Sequence, residues 1–314
     1  MLSISIIKDL IFKVKLRYVK NPILALEKLQ YYFLTKPTRI KLLVKFQKYI
    51  KKPAEPEKWV FIVGCYNSGT TLLEKLIATH SQISALDEGV FKTDQLLTPE
   101  ELGWTRMWYK VIEKVRLTDM DNSVDAEELK KDWGLFFNPK KSVFLEKSIV
   151  NSARMLWLQR NFKNSYFIFI VRNGYAVAEG IRRKALVGKW GMQQNFIPYY
   201  PIELCAQQWV VNNEIIEQDS KKIKNFKKIY YEELCKSPRE VIKELLNFIG
   251  LQENINWHRA KKWKIHEKFS TIKNMNQRSI DNLTQDDINK INSIASDMLK
   301  FYGYYMPSKE FLSG

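Results

Sequence analysis

Residues 59–73 read WVFIVGCYNSGTTLL. Trp59, Val60, Phe61, Ile62 and Val63 make a short continuous apolar run closed by Gly64, the pattern of a strand buried on both faces of a parallel sheet. From Gly69 onward Leu72, Leu73, Leu76, Ile77 and His80 fall on one face at helical spacing, which predicts a helix, and residues 83–86 follow as a second strand. Gly64 and Gly69 stand between strand and helix at the G-x-x-x-x-G spacing of a phosphate cradle. Glycines permit unusual backbone angles and close approach, while backbone N–H groups and the positive end of a helix dipole attract an anion. Ser68, Thr70 and Thr71 add hydroxyls. In a nucleoside triphosphatase the residue after the second glycine is a lysine that reaches the β and γ phosphates. Thr70 stands there instead, so an ATP-dependent kinase would need its cation from elsewhere. A plain glycine turn, with the hydroxyls serving as caps, is the other reading of the same residues.

The rhythm recurs along the chain. Strands are expected at 143–145, 166–171 (YFIFIV) and 228–231, with helices at 151–161, 175–186 and 238–249. Such alternation predicts an α/β fold, a central parallel sheet with helices on both faces. Residues 92–141 and 186–202 break the rhythm and are expected to cover the ligand-binding edge. In these folds ligands sit beyond the carboxyl ends of the strands.

The 314 residues, 45% hydrophobic and 27% charged, are enough for a sizeable core and exclude a disordered chain. Lys and Arg number 51 against 34 Asp and Glu, a net +17, which suggests an anionic partner. Residues 1–58 alone carry 14 basic and 4 acidic residues. Ile7, Leu10, Val14 and Tyr18, interleaved with Lys8, Lys13, Lys15 and Arg17, predict a basic amphipathic helix ended by Pro22, and two further helical patterns precede a linker at 51–58. Residues 1–57 therefore read as a helical extension and 58–314 as the main domain. The extension either packs on the body or touches an anionic membrane surface. Three scattered cysteines, with no C-x-x-C spacing, argue against a disulfide framework or a zinc site. No signal peptide and no apolar run of membrane-spanning length is evident, so a cytoplasmic location is expected, with peripheral membrane contact as an addition.

The run Asn67-Ser68-Gly69-Thr70-Thr71-Leu72-Leu73, with His80 at the end of the following helix, resembles the loop of sulfotransferases that use 3′-phosphoadenosine 5′-phosphosulfate. That loop commonly reads R-S-G-T-T-L-L. The resemblance extends in pieces over most of residues 58–304 and implies a P-loop-like fold. It also implies that Tyr66, Asn67, Ser68, Gly69, Thr70 and Thr71 hold the 5′-phosphosulfate, with Asn67 where a cation is usual. In Glu146-Lys147-Ser148 the lysine matches a position near the transferred sulfonate. Arg172, in Val171-Arg172-Asn173-Gly174, matches the residue that binds the 3′-phosphate. Gly180 stands where the family has a serine, and Lys184 resembles a second basic contact to that phosphate, with Arg182 and Arg183 as neighbouring cations. Tyr231, in Tyr230-Tyr231-Glu232-Glu233-Leu234, corresponds to a tyrosine near the nucleotide. Arg278 is the basic candidate in a C-terminal loop that closes on the adenosine.

Sulfonate transfer to an alcohol needs a base for the acceptor proton, donors for charge developing on the leaving phosphate, and an in-line arrangement. The second strand runs into Asp87-Glu88-Gly89. Golgi-type members of the family resemble the chain here and place their general base at Glu88, with Asp87 as rival. His80 reads as structural, and His258 and His266 lie in a polar, basic stretch. Lys147 is either the charge stabiliser or a strand-end lysine in solvent. Trp104, Trp108, Trp133 and Trp190 are candidates for stacking on sugar rings, whereas Trp209 reads as core. The expectation is sulfonate transfer to a hydroxyl acceptor, a glycan first, with peptide tyrosine or a small alcohol as alternatives. No metal and no nucleic acid partner is expected. The rival classes are an ATP-dependent kinase and a non-catalytic polyanion-binding protein.

Overall fold

The computed structural model describes residues 52–86, 96–185, 199–253, 255, 257, 264–265, 268–269 and 272–306. The predicted N-terminal helices, Asp87 and Glu88, Trp190, His258 and His266 lie outside the described residues.

Five strands form one parallel sheet: β1 (Lys58–Val63), β2 (Ile83–Ala85), β3 (Val143–Glu146), β4 (Ser165–Val171) and β5 (Phe226–Tyr230). Their order is β2-β3-β1-β4-β5, so β1 is central and pairs with both β3 (Trp59 opposite Phe144) and β4 (Trp59 opposite Ser165). Side chains alternate across a strand, and both faces of this sheet are covered. Val60 and Ile62 pack against Leu73, Leu76 and Ile77 of α1 (Thr70–Ile77) on one face. Trp59, Phe61 and Val63 meet the opposite layer. That layer includes, in chain order, α2 (Ile112–Val115), α3 (Ala126–Gly134), α4 (Met155–Asn161), α5 (Gly174–Lys184) and α6 (Ile202–Ser220). Short α7 (Tyr231–Lys236) and α8 (Pro238–Ile249) return to the α1 face. After the small antiparallel pair β6 (Lys264–Ile265) and β7 (Lys268–Phe269), α9 (Asn276–Ile280) and α10 (Gln285–Phe301) close the α6 side. Trp108, Trp133, Trp157 and Trp209 are fully buried, so Trp108 and Trp133 are core rather than open to a sugar ring, and Trp209 occupies the place its apolar setting predicts.

Some boundaries differ from the sequence reading, for local reasons. The helix expected at 151–161 starts as a 3₁₀ turn at Ile149–Ala153, and α4 follows. Asn151 and Ser152 there turn their side chains toward the sheet's edge, Asn151 donating to Glu146 at 2.5 Å and Ser152 Oγ accepting from the Gly64 N–H at 3.0 Å. Tyr231, expected to end a strand, opens α7 instead. The irregular stretch before β3 is a 3₁₀ turn (Trp108–Val111) with α2 and α3, folded over the sheet's α6 face. Cys65, Cys205 and Cys235 are free thiols.

Candidate active site at the strand carboxyl ends

The strand order brings the residues after β1, β3 and β4 side by side. The loop after β1 is shaped by two glycines. A Cβ on Gly64, whose φ is +152°, would lie 2.6 Å from the Ile170 carbonyl oxygen. One on Gly69, at φ +94°, would lie 2.5 Å from the Tyr231 ring. Both positions exclude a side chain because the loop is pressed against β4 and α7. Asn67 takes a left-handed φ of 63°, which asparagine tolerates better than most residues. Gly69 caps α1 without any side-chain hydrogen bond, so the neighbouring hydroxyls are not used as its cap. Ser68 is 1% exposed, and its Oγ has no hydrogen-bond partner among the described residues.

Lys147 follows β3 directly. Its Nζ donates to Thr71 Oγ1 at 3.3 Å and lies 3.8 Å from Glu74 of α1. At 5% exposure it is no solvated strand-end lysine. Burial pulls its pKa down, and the Glu74 carboxylate works against that shift.

Arg172 follows β4. Nη1 donates to the Asn67 carbonyl at 2.6 Å, Nε to Asn276 at 2.8 Å, and the guanidinium lies 4.3 Å from the centre of the Tyr231 ring. Its Nη2 is buried and has no hydrogen-bond partner among the described residues. Tyr231 ties in the C-terminal segment, its hydroxyl donating to the Lys273 carbonyl and accepting from the Met275 N–H, both at 3.2 Å. Arg278 of the same segment is exposed, with no side-chain partner among the described residues. It is Asn276 that reaches Arg172.

Gly180 of α5 faces the loop: a Cβ there would stand 3.1 Å from both Cβ and Cγ of Asn67. Neither polar atom of the Asn67 amide, against it, has a partner among the described residues. Lys184, one turn further along α5, has its pKa pushed down to about 8 by burial and by the charges of Arg106, Arg183 and Arg172. Arg182 and Arg183 are paired, with Asp287 at 2.6 Å and Glu179 at 2.7 Å. His80 is structural, its ring nitrogens engaged by the Gln252 carbonyl at 2.9 Å and the Gln82 N–H at 3.1 Å.

The loop, Lys147, Arg172, Gly180 and Tyr231 of the sequence reading stand together at the strand carboxyl ends, and that reading did not name Glu74, Arg106, Ser152 or Asn276, which also contact them. Glu74, a carboxylate on the apolar face of α1, was the one readable signal among them.

A strand, a glycine-shaped loop and a helix, with buried cations from neighbouring strand ends, make a P-loop-like arrangement able to hold an anion. A family model described as the sulfotransferase family matches residues 60–254, well over half of the chain. The chain belongs to the sulfotransferase family. A protein of Caenorhabditis briggsae that carries the name of a protein-tyrosine sulfotransferase is 26% identical over 214 residues, which are 62% of this chain and 66% of that relative, just under two thirds of its length. A sulfotransferase structure from Mycobacterium tuberculosis shares the fold, with a TM-score of 0.51 at 12% identity over 82% of this chain and 86% of that one. The sulfotransferase domain of the curacin biosynthetic pathway aligns at 19% identity and a TM-score of 0.49, covering 81% of this chain and all 100% of that one. Among the described residues no helix is long and apolar enough to cross a membrane.

Proposed function

We propose that the chain moves a sulfonate group from 3′-phosphoadenosine 5′-phosphosulfate to a hydroxyl acceptor. The observation that carries this reading is a set of buried donors without a hydrogen-bond partner among the described residues, Ser68 Oγ and Asn67 Nδ2 on the loop and Nη2 of Arg172, which grips the loop at the Asn67 carbonyl. Buried polar groups ordinarily find partners, and these fit a bound polyanion. The donor supplies the activated sulfonate. Ser68, Gly69, Thr70 and Thr71 would hold its 5′ end, and Arg172, fixed by Asn67 and Asn276 against Tyr231, would hold the 3′-phosphate.

Lys147 is poised to neutralise charge near the transferred group. Its burial makes that charge act at short range in a low-dielectric setting, and Thr71 and Glu74 fix its direction. Glu88, which follows β2 in sequence, is the proposed base: it takes the proton of the acceptor hydroxyl as oxygen attacks sulfur. A glycan is the preferred acceptor class. Residues 58–314 would form the enzyme, and residues 1–57 a basic extension able to touch an anionic membrane surface from the cytoplasmic side.

Glu88→Gln should lower turnover by about 10²- to 10⁴-fold, the span general-base catalysis commonly supplies, and leave binding of 3′-phosphoadenosine 5′-phosphate nearly intact. Calorimetric titration alongside turnover checks this, with ATP as control ligand. Loss of both properties together would remove Glu88 from the role, and equal affinity for ATP would remove the donor.

A further inference from the structure

Glu232 lies within electrostatic reach of Arg172, yet the two form no ion pair with each other. An amide stands between them. Asn276 Oδ1 accepts from Arg172 Nε at 2.8 Å, and Asn276 Nδ2 donates to Glu232 Oε1 at 2.6 Å. Glu232 sits in the first turn of α7, directly after Tyr231, whose ring lies against the Arg172 guanidinium. Its carboxylate accepts two further hydrogen bonds, Oε1 from the Asn173 N–H at 3.2 Å and Oε2 from the Tyr304 hydroxyl at 2.9 Å. Asn173 in turn caps α5, its Oδ1 accepting from the N–H groups of Tyr175 at 3.0 Å and Ala176 at 3.3 Å. One carboxylate thus gathers the residue after Arg172, the first residue of α9 and a tyrosine beyond the end of α10.

The chemistry of the three groups leaves the amide a single orientation. A guanidinium only donates and an ionised carboxylate only accepts, so an asparagine between them must turn its oxygen to the arginine and its NH₂ to the glutamate. Glu232 therefore decides which way Asn276 faces, and Asn276 decides where Arg172 Nε points. A carboxylate in direct contact would occupy the cation that a phosphate needs. The neutral amide holds the guanidinium without discharging it. Nη1 is held by the Asn67 carbonyl at 2.6 Å, and Nη2 is left buried with no hydrogen-bond partner among the described residues.

We infer that Glu232 is a positioning residue for the 3′-phosphate of the donor: acting through Asn276, it orients Arg172 so that Nη2 remains for a phosphate oxygen. This rests on the donor reading given under the proposed function. The negative charge of Glu232 taken alone repels a phosphate, so if the field were its whole effect, removing it would tighten binding. Its hydrogen bonds hold the arginine in place, so removing a positioning residue weakens binding instead. The sign separates the two.

Calorimetric titration with 3′-phosphoadenosine 5′-phosphate and with adenosine 5′-phosphate, which differ only in the 3′-phosphate, supplies the test. The wild type should prefer the bisphosphate by about tenfold or more, as charge-assisted hydrogen bonds to one phosphate provide. Glu232→Ala should cut that preference by about fivefold and leave affinity for the monophosphate within about twofold. Glu232→Gln, which loses the charge but keeps an oxygen for the Asn276 amide, should retain most of the preference. In an Asn276→Ala background, Glu232→Ala should change the preference by less than about twofold, because the connection is already broken. Tyr304→Phe, a milder variant should Glu232→Ala fail to fold, should lower the preference by about twofold, since one of the donors to Glu232 is lost. An unchanged or increased preference in the variant that folds overturns the inference. So does an equal loss for both nucleotides, which marks a purely structural role, or a loss in Glu232→Gln as large as in Glu232→Ala. Persistence of the full effect in the Asn276→Ala background overturns the route through the amide. If the wild type shows no preference for the bisphosphate, the donor reading falls and the inference with it; if the wild type shows the preference and Glu232→Ala keeps it, the inference alone falls.

Discussion

Asn67 and Gly180 pack together. Gly180 leaves the space that the Asn67 side chain fills, since an added Cβ would stand 3.1 Å from it. A serine at 180 would have to push the Asn67 amide aside. Gly180→Ser is therefore expected to cost about 1 kcal/mol or more by overpacking, and the cost should drop by at least half in an Asn67→Ala background. Urea unfolding of the four proteins in the cycle measures this coupling. Additive effects would mean that the two positions are independent.

Among the helices, α10 shows how one side chain can anchor two elements. Thr284 accepts from the Asp287 N–H at 3.1 Å while Asp287 accepts from the Thr284 N–H at 2.9 Å, a reciprocal capping box that starts the helix. Asp287 also grips Arg182 of α5 through two bonds, at 2.6 and 3.0 Å. Thr284→Ala should lose about 1 kcal/mol, the usual worth of an N-cap. Asp287→Asn should lose more, because it also leaves a partly buried guanidinium without its counter-charge. Chemical denaturation ranks the two, and the reverse order would show that the ion pair with α5 contributes little. Positions such as Thr284 carry a local signature, whereas the Arg182 pairing spans 105 residues of sequence and has none.

For the molecule as a whole, Glu146 should leave a trace in the dependence of folding on pH. It is fully buried at the end of β3, and its pKa is pushed up to about 8 by desolvation, opposed by the Ser148 N–H and the Asn151 amide. In the unfolded chain the group loses its proton near the ordinary value of 4.5, while the folded chain keeps it until about 8. Over that interval the folded state binds more protons, so its stability falls as pH rises and levels off above the folded value. Glu146→Gln should flatten that slope and gain stability over wild type near pH 8. Thermal unfolding across the interval checks it, and parallel pH profiles for the two proteins would mean that Glu146 is ionised in the folded state.

Local pattern was enough for much of this. The apolar runs at β1 and β4, the glycine spacing between strand and helix, and the helical periodicity of α1 and α8 each depend on neighbours a few residues apart, so the parallel α/β fold and the glycine loop between β1 and α1 were readable from the chain. Lys147 and Arg172 were singled out by the resemblance of their motifs, and both follow strands that the apolar runs predict. What could not be read was the company these residues keep. Asn276 lies 104 residues from Arg172 and reaches it only because α9 folds back over the end of β4. Arg106 sits in a stretch with no regular period, and only packing of that stretch onto Tyr66 brings it beside the loop. The burial of Glu74 against Lys147, the match of Asn67 with Gly180, and the pairing that neutralises Arg182 and Arg183 while sparing Lys184 likewise depend on the strand order. Periodicity reports which face of an element is apolar, but contacts between elements far apart in sequence arise only when the sheet has assembled and its strand ends stand together.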